Sequence, residues 1–171
     1  MNIAGIKNFD IENGEKTGIS VFVSGCTHNC EGCFNKEAQD FKYGRKFDEV
    51  KDIEKIINML DSKYIYRLTI LGGEPMELQN QESVLYIIKE VRKKLPDKKI
   101  WVYSGYTLEE LQSRKNKTTE EILNIIDVLV DGEFVLEKKN LMLKFRGSSN
   151  QRILDMKETI KKKQPVLLNL N

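Results

Sequence analysis

The sequence predicts an α/β fold: an open, partial (β/α) barrel with a mostly parallel sheet, folded as a single domain. Short β-branched apolar runs alternate with stretches of helical apolar spacing, the pattern of parallel strands joined by right-handed crossovers. Four or five such units occur in 171 residues, too few to close an eight-stranded barrel. The glycine- and cysteine-rich stretches leave the carboxyl ends of the strands, so they gather on one rim, where α/β folds place ligands.

Ile3 to Ile6 reads as a short opening strand, followed by a turn through Asn13-Gly14. Ile19 to Val23 is almost wholly apolar, as a strand buried on both faces should be. Asp52 to Leu60 puts Ile53, Ile56, Ile57 and Leu60 at helical spacing, and Arg67 to Leu71 is the next strand. A long helix spans about Gln79 to Leu95 and stops at Pro96. Lys99 to Tyr103 is a strand with Trp101 in the core. Thr107 and Glu110 then form a capping box. A helix from about Thr119 to Ile126 leads into the strand Asp127 to Val130, which ends in Asp131-Gly132-Glu133-Phe134. Arg152 to Lys163 reads as a helix capped by Ser149 or Asn150, and Pro165 to Leu168 as a last short strand.

Composition removes several classes of function. The formal net charge is only +2, which argues against a nucleic-acid or membrane-surface footprint; the Lys157 to Lys163 excess reads as a solvated helix face. No apolar run reaches the roughly 18–20 residues that span a bilayer, and Met1 to Lys7 lacks a secretory layout. Three cysteines on one loop are not a disulfide framework. A reducing, cytoplasmic location is therefore expected.

Those cysteines lie in Ser24-Gly25-Cys26-Thr27-His28-Asn29-Cys30-Glu31-Gly32-Cys33-Phe34-Asn35, at C-x3-C-x2-C spacing. Thiolates cluster where something soft and positive holds them, which means zinc or iron–sulfur. A structural zinc or an ordinary cubane wants four closed ligands, and the chain has only three cysteines and one histidine, His28. The spacing C-x-H-x-C-x2-C is not a usual zinc pattern. The better reading is a 4Fe-4S cluster on Cys26, Cys30 and Cys33 with one iron open, and an open site is a sign of chemistry. His28 then reads as a residue of the loop that faces solvent or stands behind the ligands, not as a ligand. No Ser/His/Asp or metal–carboxylate constellation competes with it.

With Gly72-Gly73-Glu74-Pro75 one βα unit later, this loop resembles the radical S-adenosylmethionine superfamily. The resemblance implies S-adenosylmethionine on the open iron. Gly72 and Gly73 carbonyls would meet its methionine amine with Glu74 beside them, and Ser104 would lie near the cofactor. The form Cys-x-Gly-Cys-aromatic-Asn, here Cys30 to Asn35, is similar to that of enzymes activating anaerobic (class III) ribonucleotide reductase. By that likeness Gly32, Cys33 and Phe34 would touch the adenine.

Phe145 to Arg152 matches the same family. Arg146, Gly147, Ser148, Ser149, Asn150, Gln151 and Arg152 would there be rim structure or a docking site for the partner. The likeness implies an anaerobic ribonucleoside-triphosphate reductase as partner and a flavodoxin- or ferredoxin-type electron donor. Relatives often read Asn-Gly-Pro-Gly-x-Arg before the first long strand. This chain has Asn13 to Gly18, with Gly18 in place of the arginine, so its role is supplied by Lys16 or another residue, or is dispensed with. The rival readings are activation of another glycyl radical enzyme of the pyruvate formate-lyase type, a zinc interaction module on the cysteines and His28, and a ferredoxin-like carrier.

Overall fold

A computed structural model describes residues 1–170. Among these, seven strands form one sheet in the order β3-β1-β2-β4-β5-β6-β7. The strands are β1 (Asn2–Asp10), β2 (Gly18–Ser24), β3 (Arg45–Lys46), β4 (Arg67–Gly72), β5 (Lys99–Tyr103), β6 (Val128–Asp131) and β7 (Arg152–Asp155). Helices α1 (Lys51–Leu60), α2 (Gln81–Lys94), α3 (Leu108–Ser113), α4 (Lys117–Ile125) and α5 (Met156–Lys162) complete the fold.

The middle strands β2, β4, β5 and β6 pair in parallel, as the alternation of strands and helices requires. Both edges are antiparallel: β1 pairs with β2 and β3, and β7 with β6. β2 follows β1, and β7 follows β6, without an intervening α-helix, so the direction reverses.

Successive residues of a strand face opposite sides, and here the two sides differ. Ile19, Val21 and Val23 of β2, Leu68 and Ile70 of β4, and Ile100 and Val102 of β5 share one core with Ile53, Ile56 and Leu60 of α1 and with Val84, Ile87, Ile88 and Val91 of α2. Each such side chain contributes roughly 1.5–3 kcal/mol by leaving water. A smaller cluster holds Trp101, Val128, Val130 and Ile153, with Phe145 edge-on to Trp101. Trp101 is a core residue, as its place in a strand implied.

Several sequence expectations need correction. Arg152 to Asp155 is a strand, not the start of a helix: Ile153 and Leu154 are buried in different clusters, one on each face of the sheet. The helix begins at Met156, and its cap is Asp155, which accepts the Glu158 N–H at 3.0 Å; Ser149 and Asn150 are not caps. Pro165 to Leu168 forms only an isolated bridge, Leu154 to Leu167. The opening strand runs from Asn2 to Asp10 with irregularities at Ile3/Gly5 and Lys7/Asp10, which break the alternation that marks a strand in sequence. Helix α2 starts at Gln81, and the side chain of Asn80 at its N-cap position bonds to other loops instead of capping it. Helix α4 starts at Lys117, capped by Asn116 through the Thr119 N–H. The Thr107–Glu110 capping box is present as read.

Candidate functional site

The cysteine loop leaves β2 through Gly25, whose φ of +99° and close approach to the Phe41 ring exclude a side chain. Backbone bonds pin both ends of it. Gly25 N–H donates to Ala38 O at 2.8 Å, Cys26 N–H to Gln39 O at 3.0 Å, and Cys33 N–H to Cys30 O at 3.2 Å. All three cysteines are unpaired and half-buried.

Gly72-Gly73-Glu74-Pro75 lies directly against this loop. Gly73 N–H donates to Val23 O and Glu74 N–H to Gly25 O, both at 2.8 Å. A Cβ at Gly73 would stand 2.6 Å from Ala38 O and 2.7 Å from Gly25 O, so the loops can meet only at a glycine. The buried Glu74 carboxylate is held within the protein: Oε2 accepts the Gly105 N–H at 2.6 Å and Oε1 the Met76 N–H at 2.8 Å. It therefore brackets the ends of β4 and β5.

His28 belongs to this bracket. Its Nε2 lies 3.3 Å from Glu74 Oε2 but outside hydrogen-bond geometry, so the contact is an ion-pair approach. The Glu74 carboxylate raises its pKa against the opposing effect of burial. Its ring meets Tyr106 at 4.2 Å between centroids, and the Arg114 guanidinium lies 3.9 Å from the same Tyr106 ring.

Two polar side chains that the sequence did not single out hold the loop. Glu77 Oε1 accepts the Thr27 N–H at 2.9 Å and the Thr27 hydroxyl at 2.5 Å. Buried Asn80 donates Nδ2 toward three carbonyls, Ser24 O at 3.0 Å, Gly25 O at 3.3 Å and Glu74 O at 3.0 Å. Both follow Gly-Gly-Glu-Pro within six residues, the one signal that could have drawn attention to them.

The donor set suits an iron–sulfur cluster held at three corners: three soft thiols on one loop, with no fourth cysteine in the chain. Burial pushes the Cys26 and Cys30 thiols up to about 11, and nearby carboxylates add to this. Loading must therefore release protons. Among the described residues no three His, Cys, Asp or Glu side chains are grouped as one mononuclear ion would require, whereas a cubane takes each thiolate at a separate iron. From the expected rim stretch Asp131 to Phe134, Glu133 Oε1 accepts the Cys30 thiol at 3.4 Å.

The remaining expected residues divide. Gly32 has a φ of +69° and lies beneath Leu136, and the Phe34 side chain is 99% exposed beside Cys33. Gly72 O accepts Asn35 Nδ2 at 3.4 Å, and the buried Ser104 hydroxyl accepts the Tyr106 N–H at 3.1 Å. Arg152 is engaged by Asp131 and Glu109, Gln151 by Gly132, Gly147 and Ser148, and the buried Ser148 by Val135. Gly147, Ser149 and Asn150 are exposed.

Comparison with known proteins agrees with this arrangement. Residues 12–154 match the family model of the 4Fe-4S single cluster domain. The chain is 44% identical over 146 residues to the anaerobic ribonucleoside-triphosphate reductase-activating protein of Haemophilus influenzae, covering 84% of this chain and 91% of that one. It is 40% identical to the protein of that name from Escherichia coli (83% and 90% covered) and 38% to that from Vibrio cholerae (84% and 91%). With three cluster-type cysteines on a strand-end loop and similarity across most of its length, the chain belongs to the family of anaerobic ribonucleoside-triphosphate reductase-activating proteins.

Proposed function

We propose that this protein is a radical S-adenosylmethionine enzyme that installs the glycyl radical of an anaerobic ribonucleoside-triphosphate reductase. The observation that carries the reading is the loop of three cysteines without a fourth, bracketed by Gly-Gly-Glu-Pro at the carboxyl end of the parallel strands. When bound, a reduced 4Fe-4S cluster supplies one electron to the sulfonium of S-adenosylmethionine, releasing methionine and a 5′-deoxyadenosyl radical that takes hydrogen from a glycine of the reductase.

In this reading Cys26, Cys30 and Cys33 hold the cluster. The backbone of Gly32, Phe34, Gly72 and Gly73, with Ser104 nearby, forms the cradle for S-adenosylmethionine. Glu74 serves it indirectly, since both its oxygens already fix neighbouring loops. The protein's share is orientation: glycines allow close backbone approach, and the Glu74, Glu77 and Asn80 contacts keep the loops from shifting. The sheet serves as an open partial barrel whose rim admits a protein loop. Of the 146–152 loop, Gly147, Ser149 and Asn150 are available to a docked reductase. Electrons would come from a flavodoxin- or ferredoxin-type donor in the cytoplasm; among the described residues no helix is long and apolar enough to cross a membrane.

The test is anaerobic reconstitution followed by an assay for 5′-deoxyadenosine under dithionite, with and without the reductase. About four irons per chain, cleavage that needs all three cysteines, and a radical on the reductase are expected. Tight stoichiometric zinc in a colourless protein, or a full cluster that leaves S-adenosylmethionine intact, sinks the reading. A radical formed only on a pyruvate formate-lyase type partner reassigns the substrate.

A further inference from the structure

The 146–152 loop reaches back almost residue by residue to the segment that follows β6. Asn150 Nδ2 donates to Glu133 O at 2.8 Å and Gln151 Nε2 to Gly132 O at 3.0 Å. The Val135 N–H donates to Ser148 Oγ at 3.2 Å, and the Ser149 N–H to Lys138 O at 2.9 Å. Arg152 Nε donates to Asp131 Oδ1 at 2.9 Å. A Cβ at Gly147 would stand 3.0 Å from the Phe134 ring, so that ring packs directly on the loop.

The held segment in turn covers the cysteine loop. Leu136 rests on Gly32, where an added Cβ would meet its Cδ1 at 2.9 Å. In the cluster-free chain the Cys30 thiol donates to Glu133 Oε1 at 3.4 Å. Once a cluster takes the thiol proton, the same placement leaves a carboxylate beside a ligand sulfur. Negative charge beside a cluster favours its oxidised form.

We propose that the 146–152 loop is a clasp that holds Glu133 beside Cys30, and that Glu133 is a positioning residue setting the reduction potential of the bound cluster. This rests on the activating-enzyme reading above. It assigns the loop an internal task whether or not its exposed residues also meet the reductase.

The test is an anaerobic redox titration of the reconstituted full chain, followed by electron paramagnetic resonance, with iron and sulfide counted for each variant. Glu133→Gln shifts the midpoint to a less negative value, and Glu133→Lys shifts it further, at unchanged iron content. Glu133 is exposed, so neither change threatens folding. In an Asn150→Ala/Gln151→Ala background the Glu133→Gln shift shrinks, because the carboxylate is no longer held at Cys30. A fully loaded protein whose midpoint ignores both Glu133 substitutions overturns the proposal, and a shift undiminished without the clasp overturns the loop's part in it. A wild-type chain that takes up no cluster overturns the enzyme assignment instead.

Discussion

Gly18 of β2 and Arg67 of β4 are paired in register, and the Arg67 side chain fills the space that a side chain at Gly18 would need. Arg67 is 1% exposed. Its guanidinium donates to Glu15 O at 3.1 Å, Thr69 Oγ1 at 2.7 Å and Asp10 O at 2.9 Å, with the Asp10 carboxylate at 3.9 Å. The space beside Gly18 is thus filled by a guanidinium from the adjacent strand, while Lys16 lies over the Tyr66 ring at 4.9 Å.

This pairing predicts a compensating exchange. Arg67→Ala should cost about 3–5 kcal/mol in denaturant unfolding, because buried Asp10 loses its cation and three acceptors lose their donor. Gly18→Arg alone should destabilise by overpacking. The double variant Gly18→Arg/Arg67→Gly should recover most of the loss. If it is no better than the worse single variant, the two positions do not share one guanidinium site.

Asn80 offers a test of the loop bracket. Asn80→Ala should cost about 1–3 kcal/mol, because Ser24 O loses its side-chain donor and Gly25 O and Glu74 O each keep only a backbone N–H. Asn80→Asp should do worse, since a carboxylate offers these oxygens only repulsion. Chemical unfolding gives the first figure, and iron retained after gel filtration shows whether the cysteine loop has loosened. Equal stability of the Ala and Asp variants would contradict this account.

Thiol reactivity should report the burial of the site. With Cys26 and Cys30 held up to about 11, their alkylation in the metal-free protein should stay slow at pH 8 and keep rising past pH 9. The sign follows for stability. These groups favour the folded chain in their neutral form, so their contribution is whole below the ordinary value of 9.0 and declines as pH rises toward about 11. Peptide mapping after timed iodoacetamide exposure checks it; full labelling of both cysteines at neutral pH within minutes would refute it.

Buried Asp127 should contribute to acid unfolding. Burial opposes its charge, yet the Arg92 guanidinium at 2.8 Å, the Ile100 N–H at 2.9 Å and Lys99 keep its carboxyl below the ordinary 3.8. Its stabilising contribution is therefore present above that value and lost as pH falls through the depressed one. Asp127→Asn should cost about 2–3 kcal/mol near neutrality and flatten the fall of Tm below pH 4. An unchanged acid limb would show that other carboxylates dominate it.

The local features of the chain were legible before any fold was known, because they depend on neighbours in sequence. Ile19 to Val23, Arg67 to Leu71 and Lys99 to Tyr103 read as strands from their apolar runs, and Thr107 and Glu110 as a capping box from their spacing. Cys26, Cys30 and Cys33 stood out as a candidate cluster loop for the same reason: three thiols on one loop need no long-range contact to be seen together. The misreading of Arg152 to Asp155 has the opposite cause. Four residues carry too little periodicity to separate strand from helix, and only pairing with β6 chooses. Arg67 filling the space at Gly18, Asn80 reaching three carbonyls and Glu133 arriving at Cys30 from 103 residues away depend on which strands lie side by side. Polar contacts of that kind leave no periodic trace in a sequence, so they exist for the reader only once the chain has folded.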